Sequence, residues 1–301
     1  MTYSIVARDH DSGRFGVAVQ SCWPFVGASC PWVEVGVGAV VTQSYTEVAH
    51  GPNGLWLMRG GATARDALAR LLEADDGREV RQVGVVDATG QAGAHTGSRC
   101  VEAAGHAIGD GVTVQANMME RPTVWGAMLG AFAGSSGAFV DRLIAALRAA
   151  EAEGGDIRGR QSAVVVISGA PGEPAWTRQI DIRVDDHPAP LDELDRLLGV
   201  QRAYDSLDRA EQASNAGDLD TAIAAWDEAG RLAPGDAQVD VWRALADAAA
   251  GRLETAGPLF QRAVATNPRW PEFVERFARS GVQPELVDAA NALLEAESAR
   301  G

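Results

Sequence analysis

The chain has 301 residues, and at roughly 150 residues per domain this length predicts two domains. Hydrophobic residues make up 46% of it and charged residues 22%, which is typical of a globular protein and argues against global disorder. The net charge of −15 disfavours partners that are themselves strongly negative. We therefore expect no nucleic-acid partner and no binding to an anionic membrane surface.

Several kinds of chemistry are excluded by residue type. Every basic residue other than histidine is arginine, so the chain has no lysine for a Schiff base, a phosphate-binding loop or a general base. Cys22, Cys30 and Cys100 show no CxxC spacing, and the histidines show no HExxH spacing, so we expect no metal. The sequence also lacks a leader pattern and any uninterrupted apolar stretch of about 18 residues, which predicts a cytoplasmic protein.

In chain order, the first domain is rich in strands. Alternating side chains from Tyr3 to Arg8 predict a first strand, and a turn at 11–14 connects it to a second strand in a β-hairpin. Thr63 is a plausible N-cap for the first helix. We predict further strands over 38–44, 80–87, 92–96, 112–117, 161–168 and 178–184, and helices over 62–74, 122–133 and 138–152. Because the helices are grouped and no βαβ alternation occurs, we predict an α+β domain in which two sheets pack between helical layers.

Residues 187–190, His-Pro-Ala-Pro, are typical of a linker, so we place the first domain at 1–187 and the second at 188–301. The second domain repeats with a period of 34 residues, which predicts all-α tetratricopeptide-like repeats over about 203–236 and 237–270. The matching pairs are Gly217 and Gly251, Leu219 and Leu253, Ala222 and Ala256, Trp226 and Phe260, Ala229 and Ala263, and Pro234 and Pro268. A capping helix is predicted over about 282–299. Two repeats bury little surface, so we expect the tail to dock on the first domain or to form a homo-oligomer.

Thr2 is the first candidate for chemistry. Methionine is usually removed when the next residue is small, and removal of Met1 would leave a threonine hydroxyl and a free α-amine on one residue at the start of a strand. Such an amine has a pKa of about 7.7–8.0 and could act as the general base for its own hydroxyl. The alternative is a trimmed N-terminus with no catalytic role.

Two amide side chains at predicted strand ends, Gln43 and Asn117, could stabilise an oxyanion. For each of them, an amide that simply satisfies hydrogen bonds between strands is the alternative.

The loop from 154 to 162 carries further polar candidates. Either Asp156 or Ser162 could orient the amine of Thr2. Arg158 or Arg160 could hold a substrate carboxylate through a two-point hydrogen-bonded fork, and Gln161 lies in the same substrate-binding segment. A salt-bridged turn without a catalytic role explains the same residues.

Five segments together resemble a bacterial family labelled domain of unknown function 1028. They cover residues 2–9, 36–43, 51–55, 94–97 and 159–163, and the resemblance extends over about residues 2–186. That family is placed in the superfamily of N-terminal-nucleophile hydrolases. The resemblance implies a four-layer αββα sandwich, hydrolysis of an amide or peptide bond with Thr2 as nucleophile, and neither a metal nor an organic cofactor.

This chain departs from the pattern in two respects. Its helical tail differs from the small C-terminal domain that many members carry, and it has no lysine of the kind that proteasome-like members use to lower the pKa of the nucleophile. Two hypotheses follow. The first is an N-terminal-threonine amidohydrolase or peptidase that acts on a small amide or peptide-like metabolite through an acyl-enzyme. The second is a non-catalytic αββα scaffold that binds protein partners through its tail.

Overall fold

The computed structural model describes residues 2–299, apart from the side chains of Leu219 and Glu285. The chain divides into two compact units, with the division between Asp195 and Arg196. The dividing point lies beyond the predicted boundary at 187 and 188, because the first helical turn after the linker belongs to the first unit. Arg148 of that unit forms ion pairs with Asp192 and Asp195.

Two antiparallel sheets form the centre of the first unit. The six-stranded sheet has the order β10-β9-β2-β1-β8-β7, and the four-stranded sheet has the order β3-β4-β5-β6. Their strands are β1 (Thr2–Arg8), β2 (Phe15–Ser21), β3 (Pro31–Glu34), β4 (Gly38–Ser44), β5 (Arg81–Asp87), β6 (Ala92–Thr96), β7 (Gly105–Gly109), β8 (Val112–Asn117), β9 (Ser162–Ser168) and β10 (Arg178–Val184).

Four helices pack on these sheets. They are α1 (His50–Arg59), α2 (Ala64–Glu73), α3 (Val124–Gly134) and α4 (Phe139–Ala152). α1 and α2 contact the four-stranded sheet, whereas α3 and α4 contact the six-stranded sheet. Between the sheets lies an apolar cluster to which both contribute, with Val6 and Val17 on one side and Val41 and Val86 on the other.

The central strand β1 pairs with β2 on one side and with β8 on the other. Its side chains alternate as a strand requires. Tyr3 faces α4, where its hydroxyl bonds to Glu151, whereas Ser4 faces the other sheet and donates to Gln43 Oε1 at 2.6 Å. Thr2, two residues before Ser4, therefore lies on the side of β1 that faces the four-stranded sheet.

Several predicted elements are confirmed, since β4, β8 and β10 have the predicted bounds and Thr63 caps α2 by accepting from the backbone of Asp66. The sequence analysis did not predict β3, β7 or α1. No element was predicted over α1, where Gly51, Pro52 and Gly54 disfavour a helix on intrinsic propensity. Tertiary packing overrides that tendency, because the glycines let α1 approach the sheet: a Cβ at Gly51 would lie 2.1 Å from Trp32 Cδ1.

The second unit is helical. Its helices are α5 (Pro190–Asn215), which begins in the first unit, α6 (Leu219–Leu232), α7 (Ala237–Ala249), α8 (Leu253–Thr266), α9 (Trp270–Ser280) and α10 (Val287–Ser298). α10 is the predicted capping helix, shortened at its start by a 3-10 turn, and α9 was not predicted. Among the described residues, no helix combines the length and the apolarity needed to cross a membrane.

The 34-residue period has a structural counterpart in α6 and α8. Gly217 and Gly251 adopt left-handed backbones with φ of 78° and 76°, and each precedes one of these helices by the same interval. Ala222 and Ala256 are fully buried at equivalent positions. The repeated glycines therefore provide the left-handed turn before each helix, and the repeated alanines lie at buried positions within the helices.

Candidate functional site

Thr2 begins β1 at one end of the six-stranded sheet and is 5% exposed. Its register partners are Ser21 on β2 and Asn117 on β8. The hydroxyl oxygens of Thr2 and Ser21 lie 3.1 Å apart, and Ser21 Oγ also accepts from the backbone nitrogen of Trp23 at 3.0 Å. The predicted removal of Met1 concerns a residue outside the described range.

Ser21 was not among the predicted site residues. Its only signal in the sequence is a polar residue at the end of an apolar strand. That signal becomes specific only once the pairing of β1 with β2 is known, because the pairing sets Ser21 opposite Thr2.

The carbonyl oxygen of Thr2 is held by the two predicted amides. Gln43 Nε2 donates to it at 3.1 Å, and Asn117 Nδ2 donates to it at 3.2 Å. The same two nitrogens donate to Gln82 Oε1, at 2.6 Å and 2.8 Å. An amide nitrogen has two hydrogens, so in this arrangement neither side chain has a hydrogen left for a substrate oxygen. Both residues anchor the backbone of Thr2, whereas the sequence suggested an oxyanion role.

Behind these amides, a largely buried polar network lies between the two sheets. Gln82 Nε2 donates to Thr96 Oγ1 at 3.0 Å and to the carbonyl oxygen of Ala116 at 2.9 Å. Gln115 Nε2 donates to Ser4 Oγ at 2.8 Å. Most polar atoms of this network satisfy one another, which stabilises it in a low-dielectric interior and fixes the position of β1. The exception is Asn117 Oδ1, which is buried and has no hydrogen-bond partner among the described residues.

A cavity of about 380 Å³ opens beside Thr2. Its lining is Thr2, Ser21, Trp23, Val26, Ser29, Cys30, Ser44, Tyr45, Thr46, Met118 and Arg158. Six of these eleven residues carry a hydroxyl group, and of the described lining residues Arg158 alone has a charged side chain. A volume of this size suits a small molecule.

The cysteines near the cavity are poor nucleophiles. Burial raises the pKa of the Cys30 thiol to about 11, and burial together with the neighbouring Asp156 carboxylate raises the pKa of Cys22. Because the thiolate is the reactive form, both thiols are largely protonated and unreactive near neutral pH. A hydroxyl is therefore the better candidate for a nucleophile at this site.

The backbone around the cavity is unusual. Among residues 2–299, three residues other than glycine have positive φ: Phe25 at 61°, Ser44 at 70° and Met118 at 59°. Ser44 and Met118 line the cavity, and Phe25 precedes the lining residue Val26. Such conformations are uncommon for residues with a Cβ and cluster at functional sites. The hydroxyl of Ser44 is buried and has no hydrogen-bond partner within the described part of the chain.

Asp156 and Arg158 lie together at the cavity. Asp156 Oδ1 accepts from the backbone nitrogen of Arg158 at 2.9 Å and lies 3.5 Å from Arg158 Nε. The other oxygen, Oδ2, is buried, and no described residue gives it a hydrogen bond. Asp156 also forms a backbone bridge with Met119, two residues beyond the partner of Thr2 on β8. The carboxylate thus lies close to the end of β1 at which Thr2 begins.

Three other predicted residues make contacts elsewhere. Arg160 donates to Glu151 Oε2 at 2.7 Å and to the carbonyl oxygen of Pro188 at 3.2 Å. Gln161 Nε2 donates to Asp186 at 3.0 Å. Ser162 Oγ donates to the carbonyl oxygen of Trp23 at 2.6 Å and accepts from the nitrogen of Val26 at 3.3 Å. None of these three lines the cavity, and Ser162 instead holds the loop that carries Trp23.

No group of three or more histidine, cysteine, aspartate or glutamate residues suited to a metal ion occurs in the part of the chain that the structure describes. The cavity lining and the contacts of Thr2 define the candidate site as Thr2, Ser21, Ser44 and Arg158, with Asp156 beside Arg158.

Comparison with known proteins places the first unit in a family. The profile of the family of unknown function DUF1028 matches residues 2–194. The crystal structure of protein SPO2555 from Silicibacter pomeroyi, which carries the same family name, is similar to this chain with 31% sequence identity and a TM-score of 0.60. The match covers 65% of this chain and 87% of that one. A comparison with curated proteins found no significant match. The chain belongs to the DUF1028 family.

Proposed function

We propose that the first unit is an amidohydrolase whose nucleophile is the hydroxyl of Thr2, acting after processing has freed the amine of that residue. The observation that carries the proposal is the position of Thr2. Its hydroxyl contacts Ser21 at the wall of a cavity of small-molecule size, while two buried amides hold its carbonyl oxygen. A residue held this rigidly beside a cavity is suited to a positioned nucleophile.

The arrangement of the first unit supports the same proposal. Two sheets that face each other, with one pair of helices on each outer side, favour the four-layer αββα interpretation. That interpretation, together with a threonine at the start of the central strand, favours membership of the N-terminal-nucleophile hydrolases.

In the proposed reaction, the neutral amine of Thr2 takes the proton of Oγ1 as the oxygen attacks the carbonyl carbon of the substrate amide. The tetrahedral intermediate then collapses. Its C–N bond breaks, the leaving nitrogen takes the proton, and the acyl group remains on Oγ1 as an ester. Water attacks the ester with the same amine as base, which releases the carboxylic acid and restores the hydroxyl.

Two polar groups complete this scheme. Of the two residues predicted to orient the amine, Asp156 is favoured over Ser162, because Asp156 Oδ2 is buried without a described partner and both hydrogen bonds of Ser162 are made to the loop backbone. Ser44 lines the cavity, and its buried hydroxyl has no hydrogen-bond partner among the described residues. Rotation of this hydroxyl toward the cavity would make Ser44 a better donor to an oxyanion than Gln43 or Asn117, whose amide hydrogens are already engaged.

The test uses the full-length protein. Intact mass would establish whether Thr2 is the first residue, and purified wild type would be screened against amides, dipeptides and γ-glutamyl compounds beside Thr2→Ala and Thr2→Ser. We expect Thr2→Ala to lose turnover and Thr2→Ser, which keeps a hydroxyl and an amine, to retain part of it. Equal turnover by wild type and Thr2→Ala would exclude Thr2 as the nucleophile.

A second candidate function is partner binding through the helical unit, which we propose to be tetratricopeptide-like on the basis of the matching positions in α6 and α8. A groove of about 310 Å³ within that unit favours this role. Its apolar lining includes Tyr204, Leu207, Trp226, Trp242 and Leu286. If Met1 is retained and no amide is hydrolysed, the non-catalytic scaffold becomes the better interpretation.

A further inference from the structure

We infer that the cavity beside Thr2 takes compact N-acyl amino acids, with Arg158 binding the carboxylate and the rings of Trp23 and Tyr45 covering a flat acyl group. This inference rests on the proposed function, because the scissile amide must reach Thr2. The substrates of the proposed amidohydrolase would then be N-acyl amino acids.

Arg158 is oriented to bind a carboxylate. Its Nε lies beside Asp156 Oδ1, and its side chain is 41% exposed. No described residue accepts a hydrogen bond from either of its terminal nitrogens. A guanidinium that is oriented through Nε and open at both terminal nitrogens presents the fork that matches a planar carboxylate.

The neighbouring Arg160 differs from Arg158 because its guanidinium is bound within the protein. Its Nη1 donates to Glu151 Oε2 and its Nε donates to the carbonyl oxygen of Pro188, so both are engaged within the protein. It is also absent from the cavity lining, which contains no aspartate or glutamate among its described members. The sequence named Arg158 and Arg160 as candidates for binding a substrate carboxylate, and the geometry favours Arg158.

Two exposed aromatic side chains in the cavity lining favour a substrate with a flat acyl group. Trp23 is 67% exposed and Tyr45 is 61% exposed, although both follow the ends of buried strands. The backbone of Trp23 is fixed at its nitrogen by Ser21 and at its carbonyl by Ser162. Arg81 holds the carbonyl oxygen of Tyr45 at 2.7 Å. Large rings on fixed backbones at the mouth of a cavity form a preorganised surface for a planar group.

The volume of the cavity and the chemistry of the proposed reaction further limit the class of substrate. A cavity of about 380 Å³ accommodates a compact ligand and is too small to enclose a folded chain. In the reaction, Thr2 Oγ1 attacks the acyl carbonyl, the C–N bond breaks, and the amino acid leaves with its nitrogen protonated. Water then releases the acyl group, so that one amide and one water yield one carboxylic acid and one amino acid.

The first experiment measures binding without turnover. N-benzoylglycine, N-benzoylglycinamide and N-acetylglycine would be titrated by calorimetry into Thr2→Ala, and into the same protein with Arg158→Gln, Arg160→Gln or Trp23→Ala added. Thermal melting would verify that each variant is folded.

We expect N-benzoylglycine to bind at least about 10-fold more tightly than N-benzoylglycinamide, the size of effect expected for one charge-assisted hydrogen-bonded pair. Arg158→Gln should remove this difference, and Arg160→Gln should leave it. Trp23→Ala should reduce the preference for the benzoyl over the acetyl compound. No binding, or equal binding of acid and amide to the protein that retains Arg158, would overturn the inference.

A second experiment separates this inference from the proposed function. Turnover of N-benzoylglycine would be measured in wild type and in Arg158→Gln. If N-benzoylglycine binds through Arg158 but is never hydrolysed, the carboxylate site stands and the hydrolase proposal fails. If hydrolysis is equal in the two proteins, the hydrolase proposal stands and the role of Arg158 is wrong.

Discussion

The side-chain nitrogen of Asn117 donates to the carbonyl oxygen of Thr2 across 3.2 Å, between the last residue of β8 and the first residue of β1. The residue proposed to react through its hydroxyl is thus held through its backbone. Strand pairing alone leaves the end of a strand free to fray, whereas this contact and its counterpart from Gln43 fix the end at which Thr2 lies.

Replacing Asn117 should therefore destabilise the first unit. Asn117→Ala removes one donor from the carbonyl of Thr2 and one from Gln82 Oε1, both of which are buried. We expect a loss of about 1–3 kcal/mol in the free energy of unfolding. Urea denaturation would measure it, with Asn53→Ala, at an exposed position of α1, as the matched control. A loss of the same size in both variants would contradict the anchoring role.

Ser21 should affect catalysis more than stability. Ser21→Ala removes the oxygen that lies 3.1 Å from the hydroxyl of Thr2. We expect kcat to fall by about 10-fold or more, because the lost contact orients the nucleophile. KM should rise by a smaller factor, because Ser21 Oγ also holds the backbone nitrogen of Trp23 in the cavity lining.

Steady-state kinetics on any amide that wild type hydrolyses would test the role of Ser21. Ser98→Ala, in an exposed loop where the serine bonds to Glu79, is the control. An increase in KM with kcat unchanged would show that Ser21 acts in substrate binding instead.

Acid should weaken the first unit through two histidines. Burial lowers the pKa of His50, against the opposing effect of Asp75, and burial also lowers the pKa of His106. Each histidine therefore binds its proton more tightly in the unfolded chain. Their contribution to stability is present above the unfolded pKa of about 6.5 and is lost as the pH falls below it.

Urea denaturation at pH 7.5, 6.5 and 5.5 would show this loss as a falling free energy of unfolding. In His50→Gln the fall should be smaller over the same range. The pKa of Asp75 is lowered, chiefly by its hydrogen bond with Arg81, so its own contribution is lost only at lower pH. If wild type and His50→Gln gave parallel curves, the linkage to His50 would be excluded.

A pair of glycine substitutions should have opposite effects. A Cβ at Gly51 would meet the ring of Trp32, whose Nε1 is fixed by the carbonyl oxygen of Ser29 at 3.1 Å. We expect Gly51→Ala to destabilise the protein by about 1–3 kcal/mol. In α3, a Cβ at Gly130 meets nothing within 4 Å, so Gly130→Ala should stabilise by about 0.5–1 kcal/mol. Thermal melting of both variants beside wild type measures the two effects, and a Gly51→Ala variant at least as stable as wild type would contradict the packing of α1 against β3.

The parts of the fold that could be predicted are those with local signals. The bounds of β4 and β8 were predicted from short runs of apolar residues that end in polar ones, and the start of α2 from the capping oxygen of Thr63. α1 could not be predicted, because its glycines disfavour a helix locally. They are explained only by the close packing of α1 against the neighbouring sheet, which the sequence does not reveal.

Some residues of the candidate site could likewise be predicted from local signals in the sequence, and others could not. Thr2 could be chosen from its residue type and position in the chain, and Arg158 could be named only together with Arg160 as an equal alternative. Ser21 and Gln82 could not, because each is brought to Thr2 or to its amides by strand pairing over long sequence separations. The contacts that engage Arg160 come from Glu151 and Pro188, so the choice between the two arginines also needed the fold.

The buried side chains behind Thr2 constrain how relatives of this protein can diverge. Ser4, Gln43, Gln82, Gln115 and Asn117 are each fully buried and linked by hydrogen bonds. A single replacement leaves a neighbour without its partner, whereas a coordinated replacement need not. These five positions should accordingly change together or not at all over the course of evolution, and compensated pairs among them should be tolerated where single changes are lost.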